Sequence, residues 1–276
     1  MTADRRIVSV PVADDLDAEL VSDRLFSLGA SAVSELRGGP AGEDRTLVAD
    51  LPADSLPALD RPFGVLDQDP SWTSSWQEHA RVVRVGRNLV VRPSWLTGGT
   101  VPEGLGPDDV EIVVAAADAF GSGSHPTTRL CLAAVERLVR PGDRVLDVGS
   151  GSGVLGVAAL LLGAGSLTAI DVDPAALAAT SETARLNDVG ARVEVSDRPP
   201  SDDVSGTFDL VLANLLIPII EDLGPSLGRT VAPGGHLVLS GVLDDQVDRA
   251  VAAIDLPPVG MDSDAGWAAV TVRARP

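Results

Sequence analysis

The chain has 276 residues, 45% hydrophobic and 22% charged, enough to bury a full core and to hold one main domain plus a smaller one. Forty acidic residues face 21 basic ones, all arginine, and the resulting net charge of −19 repels phosphate and sets nucleic acid aside as a direct partner. A basic protein or cationic ligand suits that field, although an acidic surface also serves solubility alone. Cys131 has no second cysteine to pair with, the start carries no leader pattern, and no apolar run is long enough to span a bilayer; a soluble cytoplasmic protein without membrane attachment is expected.

Residues 1–68 read as a small substrate-recognition domain with 13 acidic and 6 basic residues. Ile7 to Val12 alternate as a strand, and Leu16, Leu20, Leu25 and Leu28 share one helical face behind Asp14, Asp15 and Asp17. Strands at Ala30 to Leu36, Thr46 to Leu51 and Phe63 to Leu66 complete a ferredoxin-like βαββαβ order whose second helix is cramped. Residues 69–118 read as a connector. Trp72, Trp76 and Trp95 are expected to pack a junction there, and Arg81 to Arg92 form two β-rich runs around Gly86. His79 has no partners at metal-ligand spacing, so no metal is expected.

Residues 119–276 read as the main domain. Phe120-Gly-Ser-Gly-Ser-His-Pro-Thr-Thr128 runs into a helix beginning at Pro126, placing the Thr127 and Thr128 hydroxyls beside unpaired backbone N–H groups. They can hold a carboxylate or a ribose-linked chain; alternatively Ser124, Thr127 and Thr128 only cap the helix, and His125 reads as a loop residue rather than a base.

Val145-Leu-Asp-Val-Gly-Ser-Gly-Ser-Gly153 then reads as a buried strand and a tight turn, with a helix from Val154. Its glycines admit a ligand to bare backbone. A dinucleotide fingerprint needs its third glycine at position 154, where Val154 stands. From there strands and helices alternate to the C-terminus, implying a doubly wound, Rossmann-like parallel sheet. Asp171 ends the second strand, 22 residues after Gly149, where a carboxylate can accept from both hydroxyls of a ribose. Asp173, before Pro174, reads as a helix cap. Asn214 ends the fourth strand at the same edge, where its carbonyl oxygen can hold an amino nitrogen; taken alone, it also reads as a turn residue.

Phe120 to Thr128, Val145 to Gly153, Ala169-Ile-Asp-Val-Asp-Pro174, Ala213-Asn-Leu-Leu216 and Leu239-Ser-Gly-Val242, in this order, resemble the methyltransferases of ribosomal protein L11. Trp76, Gly86, Arg92-Pro-Ser-Trp95 and Leu28 to Val33 extend the likeness upstream. The resemblance implies a class I, S-adenosylmethionine-dependent methyltransferase domain joined to a small ferredoxin-like domain. It implies trimethylation of lysine side chains and of the N-terminal amine of that basic ribosomal protein, by a chain expected to be a monomer. Carried onto matching positions, it implies cofactor contacts at Thr128, Gly149, Asp171 and Asn214, to which the glycine turn adds Gly151, with Asn214 also the catalytic residue. The short small domain departs from the family pattern. Alternatives are another protein or small amine as substrate, or a cofactor-binding module without catalysis.

Overall fold

The computed structural model describes residues 5–13, 17, 18, 21, 24, 25, 28, 30, 33–38, 44–66, 82–96, 104–115, 125–199 and 207–276. Leu16, Leu20, Trp72, Trp76, His79 and the glycine segment 120–124 lie outside them. The chain divides into two compact units, Met1–His79 and Ala80–Pro276.

In the first unit β1 (Arg5–Val12), β2 (Val33–Gly38), β3 (Asp44–Pro52) and β4 (Gly64–Leu66) form one sheet of order β2-β3-β1-β4 with every neighbouring pair antiparallel. This is the ferredoxin-like order. Val8, Val10 and Val12 point to one face by the two-residue period of a strand and pack with Ala18, Val21 and Leu25 of the helical segment. That buried stripe therefore includes Ala18 and Val21 as well as the expected Leu25. The second helix is reduced to a single 3-10 turn, Leu56–Ala58, and Leu56, Leu59 and Phe63 cover the sheet beside it.

The second unit opens with a sheet of three strands, β5 (Val83–Val85), β6 (Leu89–Pro93) and β7 (Val110–Val114). The β5–β6 hairpin fits the two β-rich runs expected; β7, which pairs parallel to β6, was not expected. Gly86 turns the hairpin at φ 61°, and the Glu136 carboxylate accepts from the amides of Arg87 and Asn88 at 2.7 and 2.8 Å.

The main sheet contains β8 (Arg144–Val148), β9 (Ser166–Ile170), β10 (Val193–Ser196), β11 (Phe208–Asn214), β12 (Val231–Leu243), β13 (Pro258–Asp264) and β14 (Trp267–Arg273), in the order β10-β9-β8-β11-β12-β14-β13. The first five are mutually parallel, and β14 and β13 close the sheet as an antiparallel hairpin. Helices α1 (Pro126–Leu138), α2 (Val154–Leu161), α3 (Pro174–Leu186), α4 (Ile217–Thr230) and α5 (Val247–Ala252) accompany it. Alternate residues of one strand enter different cores: Leu210 and Leu212 pack with α1 and α2, Val211 and Ala213 with Ile217, Ile220 and Leu227 of α4. Burial on both faces explains why these strands read as continuous apolar runs.

Strand β12 runs on to Leu243, a single 3-10 turn at Asp244–Gln246 precedes the short α5, and β13 is not marked by any pattern in the sequence. The reason for the last is physical: β13 is an edge strand with Pro258, Val259, Gly260 and Met261 exposed, so no alternation marks it. Among the described residues, no helix is long and apolar enough to cross a membrane.

Candidate functional site

The site lies along the carboxyl ends of β8, β9 and β11, beside the start of α1. Gly149, Gly151 and Gly153 adopt φ values of 72°, 53° and 77°, a left-handed region that side chains strain to enter. The turn is fastened from several directions. Gly149 and Ser150 donate to the carbonyl of Ile170 at 2.8 and 3.1 Å. Thr180, fully buried in α3, donates its hydroxyl to the Gly151 carbonyl at 3.1 Å and lies 3.0 Å from the Ser150 hydroxyl. A Cβ on Gly153 would lie 2.9 Å from Thr180 Cα, and one on Gly149 would collide with Leu215 Cδ2.

Gly153 is the N-cap of α2 and has no side chain with which to cap it. Asp147 performs this task from the adjoining strand. Its Oδ2 accepts from the Gly156 amide in the first turn at 3.0 Å, placing a carboxylate at the positive end of the helix. The group is buried to 1% exposure. Burial pushes its pKa up to about 7 against the lowering effect of the Gly156 hydrogen bond, and the negative charge of Asp171 adds to the rise. No local pattern in the sequence marks this capping role, because the strand residue and the Gly156 amide meet only through the turn between them.

Asp171 stands where its spacing placed it, half-buried at the end of β9. Its Oδ2 accepts from the Gly151 amide and its Oδ1 from the Asp173 amide, each at 3.0 Å. Asp173 is the N-cap of α3, accepting from Ala175 at 2.8 Å, as its position before Pro174 led us to expect.

Asn214, half-buried at the end of β11, donates Nδ2 to Thr127 Oγ1 at 3.3 Å. Thr127 Oγ1 lies 2.8 Å from His125 Nδ1, which also accepts from the Thr127 amide at 3.3 Å and thereby caps α1. His125 is thus the capping residue, a role not assigned to it from the sequence. Its ring meets Trp267 of β14 edge-on, with centroids 5.1 Å apart and planes at 70°. Next to Thr127, Thr128 is 1% exposed, and its Oγ1 has no hydrogen-bond partner among the described residues.

The structure therefore gathers the five sequence-derived residues at one edge. Gly151 touches Asp171, Gly149 abuts the Leu215 that follows Asn214, and Asn214 touches the neighbour of Thr128. The positive-φ glycines keep the turn tight against Leu215 and Thr180, the Asp171 carboxylate stands beside it as an acceptor, and the Thr128 hydroxyl is buried without a partner among the described residues; this set fits the polar, hydroxyl-bearing edges of a nucleoside ligand. Among the described residues, no group of three or more His, Cys, Asp or Glu side chains is arranged to hold a metal ion.

Strand order, the terminal antiparallel hairpin and the glycine turn with its acid define a Rossmann-like domain of the methyltransferase class. Residues 64–275 match the family described as ribosomal protein L11 methyltransferase (PrmA). A ribosomal protein L11 methyltransferase from Pelotomaculum thermopropionicum is 38% identical over 210 residues, 75% of this chain and 67% of its own length. That from Methylococcus capsulatus is 39% identical over 278 residues and covers 89% of each chain. A crystal structure of a ribosomal protein L11 methylase from Lactobacillus delbrueckii subsp. bulgaricus aligns with a TM-score of 0.62 and 30% identity, over 71% of this chain and 100% of that one. The chain belongs to the ribosomal protein L11 methyltransferase family.

Proposed function

We propose that the protein is an S-adenosylmethionine-dependent methyltransferase acting on lysine side chains and the N-terminal amine of ribosomal protein L11. Family membership supports the reaction and substrate. The observation that carries the site is the convergence of the glycine turn, Asp171 and Asn214 on one sheet edge. In this reading the backbone of Gly149 and Gly151 and the hydroxyl of Thr128 hold the cofactor, and Asp171 takes its ribose. When bound, the cofactor supplies a methyl group already activated by a positively charged sulfur.

What remains for the protein is alignment and the protonation state of the acceptor. Holding two reactants in line can contribute roughly 7–11 kcal/mol of barrier reduction. Asn214 is suited to this through its Oδ1, which can accept an amine N–H and direct the nitrogen lone pair. The amine must be neutral, and a lysine with a pKa of about 10.4 is only about a thousandth deprotonated near neutral pH. Partial burial at the sheet edge favours that neutral form. The small N-terminal domain read from the sequence, residues 1–68, serves recognition, and the chain's net charge of −19 complements a basic ribosomal protein.

The test is incubation of the enzyme with S-adenosylmethionine and purified ribosomal protein L11, read by mass spectrometry. Stepwise methyl increments on lysines and on the N-terminus are expected. The enzyme contains no lysine, so every methylated lysine found belongs to the substrate. An unmodified L11 overturns the substrate assignment. Calorimetric binding of NAD in preference to S-adenosylmethionine overturns the cofactor assignment.

A further inference from the structure

The polarity of the hydrogen bonds around Thr127 fixes which end of the Asn214 amide faces the site. The Thr127 backbone N–H can only donate, and it points at His125 Nδ1 from 3.3 Å. Nδ1 therefore carries no proton, and the ring's proton sits on Nε2. At 2.8 Å from that same Nδ1, the Thr127 hydroxyl spends its single hydrogen on it. Thr127 Oγ1 can then only accept from its other neighbour, and that neighbour is the Asn214 side chain at 3.3 Å. An amide turned the other way would set two acceptors face to face. The chain of donors thus runs from Asn214 Nδ2 through Thr127 to His125, leaving Oδ1 as the amide's other pole.

The surroundings hold the chain in register. Thr127 is 1% exposed, so no water competes for its hydroxyl. The His125 ring is seated edge-on against Trp267 of β14, and Arg129, one turn further along α1, is ion-paired to Asp264 of β13. Helix α1 is therefore fastened to the hairpin at the end of the sheet while its first turn steers a residue on β11.

We propose that His125 and Thr127 are positioning residues that lock the Asn214 amide with its carbonyl oxygen toward the acceptor amine. The inference rests on the methyltransferase reading above for its consequence, but the lock itself is a property of the protein alone. Without the Thr127 hydroxyl the amide can rotate, and its NH2 pole would repel the amine N–H that Oδ1 is placed to receive.

The test compares Thr127→Val with Thr127→Ser in the full chain. In methylation of L11, Thr127→Val is expected to lower kcat on the order of tenfold while the S-adenosylmethionine Kd stays within about twofold, and Thr127→Ser to restore kcat to within about twofold. A second readout needs no turnover. In the 15N-labelled protein the Asn214 side-chain NH2 resonance, identified by its loss in Asn214→Ala, should show slowed solvent exchange that Thr127→Val abolishes and Thr127→Ser retains. Thr127→Ala, which introduces no bulk, must repeat both results if the valine variant does not fold. An unchanged kcat together with a still protected Asn214 amide in Thr127→Val or Thr127→Ala overturns the proposal, as does failure of Thr127→Ser to rescue. If the wild-type protein transfers no methyl group, the functional reading fails by itself, and the exchange measurement still decides whether the lock exists.

Discussion

Asp171 Oδ2 accepts the Gly151 amide at 3.0 Å, so the acid proposed to meet a ribose also fixes the turn beside it. Binding and architecture are joined in one side chain, which separates the effects of two substitutions. Asp171→Ala removes every bond the carboxylate makes and frees the Gly151 and Asp173 amides together. Asp171→Asn keeps one acceptor oxygen. Each charge-assisted hydrogen bond lost is worth about 1.5–3 kcal/mol, so Asp171→Ala should raise the S-adenosylmethionine Kd by roughly ten- to a hundredfold, and Asp171→Asn by less. Calorimetric titration checks this; an unchanged Kd in the alanine variant would show that the acid serves the turn alone.

Asp147 gives the fold a pH dependence. Its pKa is pushed up to about 7 from an ordinary 3.8, with burial the leading cause. Between those values the folded chain holds a proton that the unfolded chain has released. Stability from this group therefore falls as pH rises through the window, and the loss is complete above about 7. At about 1.4 kcal/mol per unit the effect is on the order of a few kcal/mol. Asp147→Asn, which keeps an acceptor for the Gly156 amide, should remove that slope. Thermal melts of both proteins at intervals from pH 4 to pH 9 give the readout: the melting difference, variant minus wild type, should climb with pH and then level off. A constant difference would mean Asp147 is ionised throughout.

The glycine turn can be tested against a glycine that shares its backbone conformation but not its crowding. Gly153 has φ 77° and Gly142 has φ 88°; a Cβ on Gly153 meets Thr180 Cα at 2.9 Å, whereas one on Gly142 meets nothing within 4 Å. Left-handed strain of about 1–3 kcal/mol falls on both alanine variants. Only Gly153→Ala adds overpacking, again about 1–3 kcal/mol, and displaces the helix that clamps Gly151. Gly153→Ala should therefore lower Tm further than Gly142→Ala and should weaken cofactor binding, which Gly142→Ala leaves intact.

What was legible in the sequence follows from how locally each feature is encoded. The turn from Gly149 to Gly153, the acid Asp171 and the amide Asn214 are each announced by a strand that ends beside them. Their placement at one edge follows from the topology of a parallel sheet. Thr180 and Asp147 were not legible as clamps, because the Gly151 carbonyl and the Gly156 amide they serve are brought to them by packing and by helix geometry, which no local pattern displays. Nor was the Thr127–Asn214 bond, whose partners lie 87 residues apart. Strand β7 is a β-branched run, Val-Glu-Ile-Val-Val, that is itself legible; what no local pattern displays is its parallel pairing with β6 and the Asn187 side chain, 74 residues on, that accepts the Val113 N–H at 2.9 Å and donates to its carbonyl at 2.7 Å.

Asn214 provides the test that separates binding from chemistry. Its nitrogen is engaged by Thr127, so what it offers a ligand is its carbonyl oxygen, and an oxygen at the end of β11 serves best the partner that must arrive with a directed lone pair. An interaction made chiefly as the reactants align appears in kcat, whereas one made equally with the resting cofactor appears in its Kd. Asn214→Ala should accordingly lower kcat on the order of ten- to a hundredfold while weakening S-adenosylmethionine binding only a few-fold. The measurement is single-turnover methylation of L11 beside a calorimetric titration of the same preparation. Equal losses in both would reassign Asn214 to cofactor binding alone, and an unaltered rate would remove it from the chemistry.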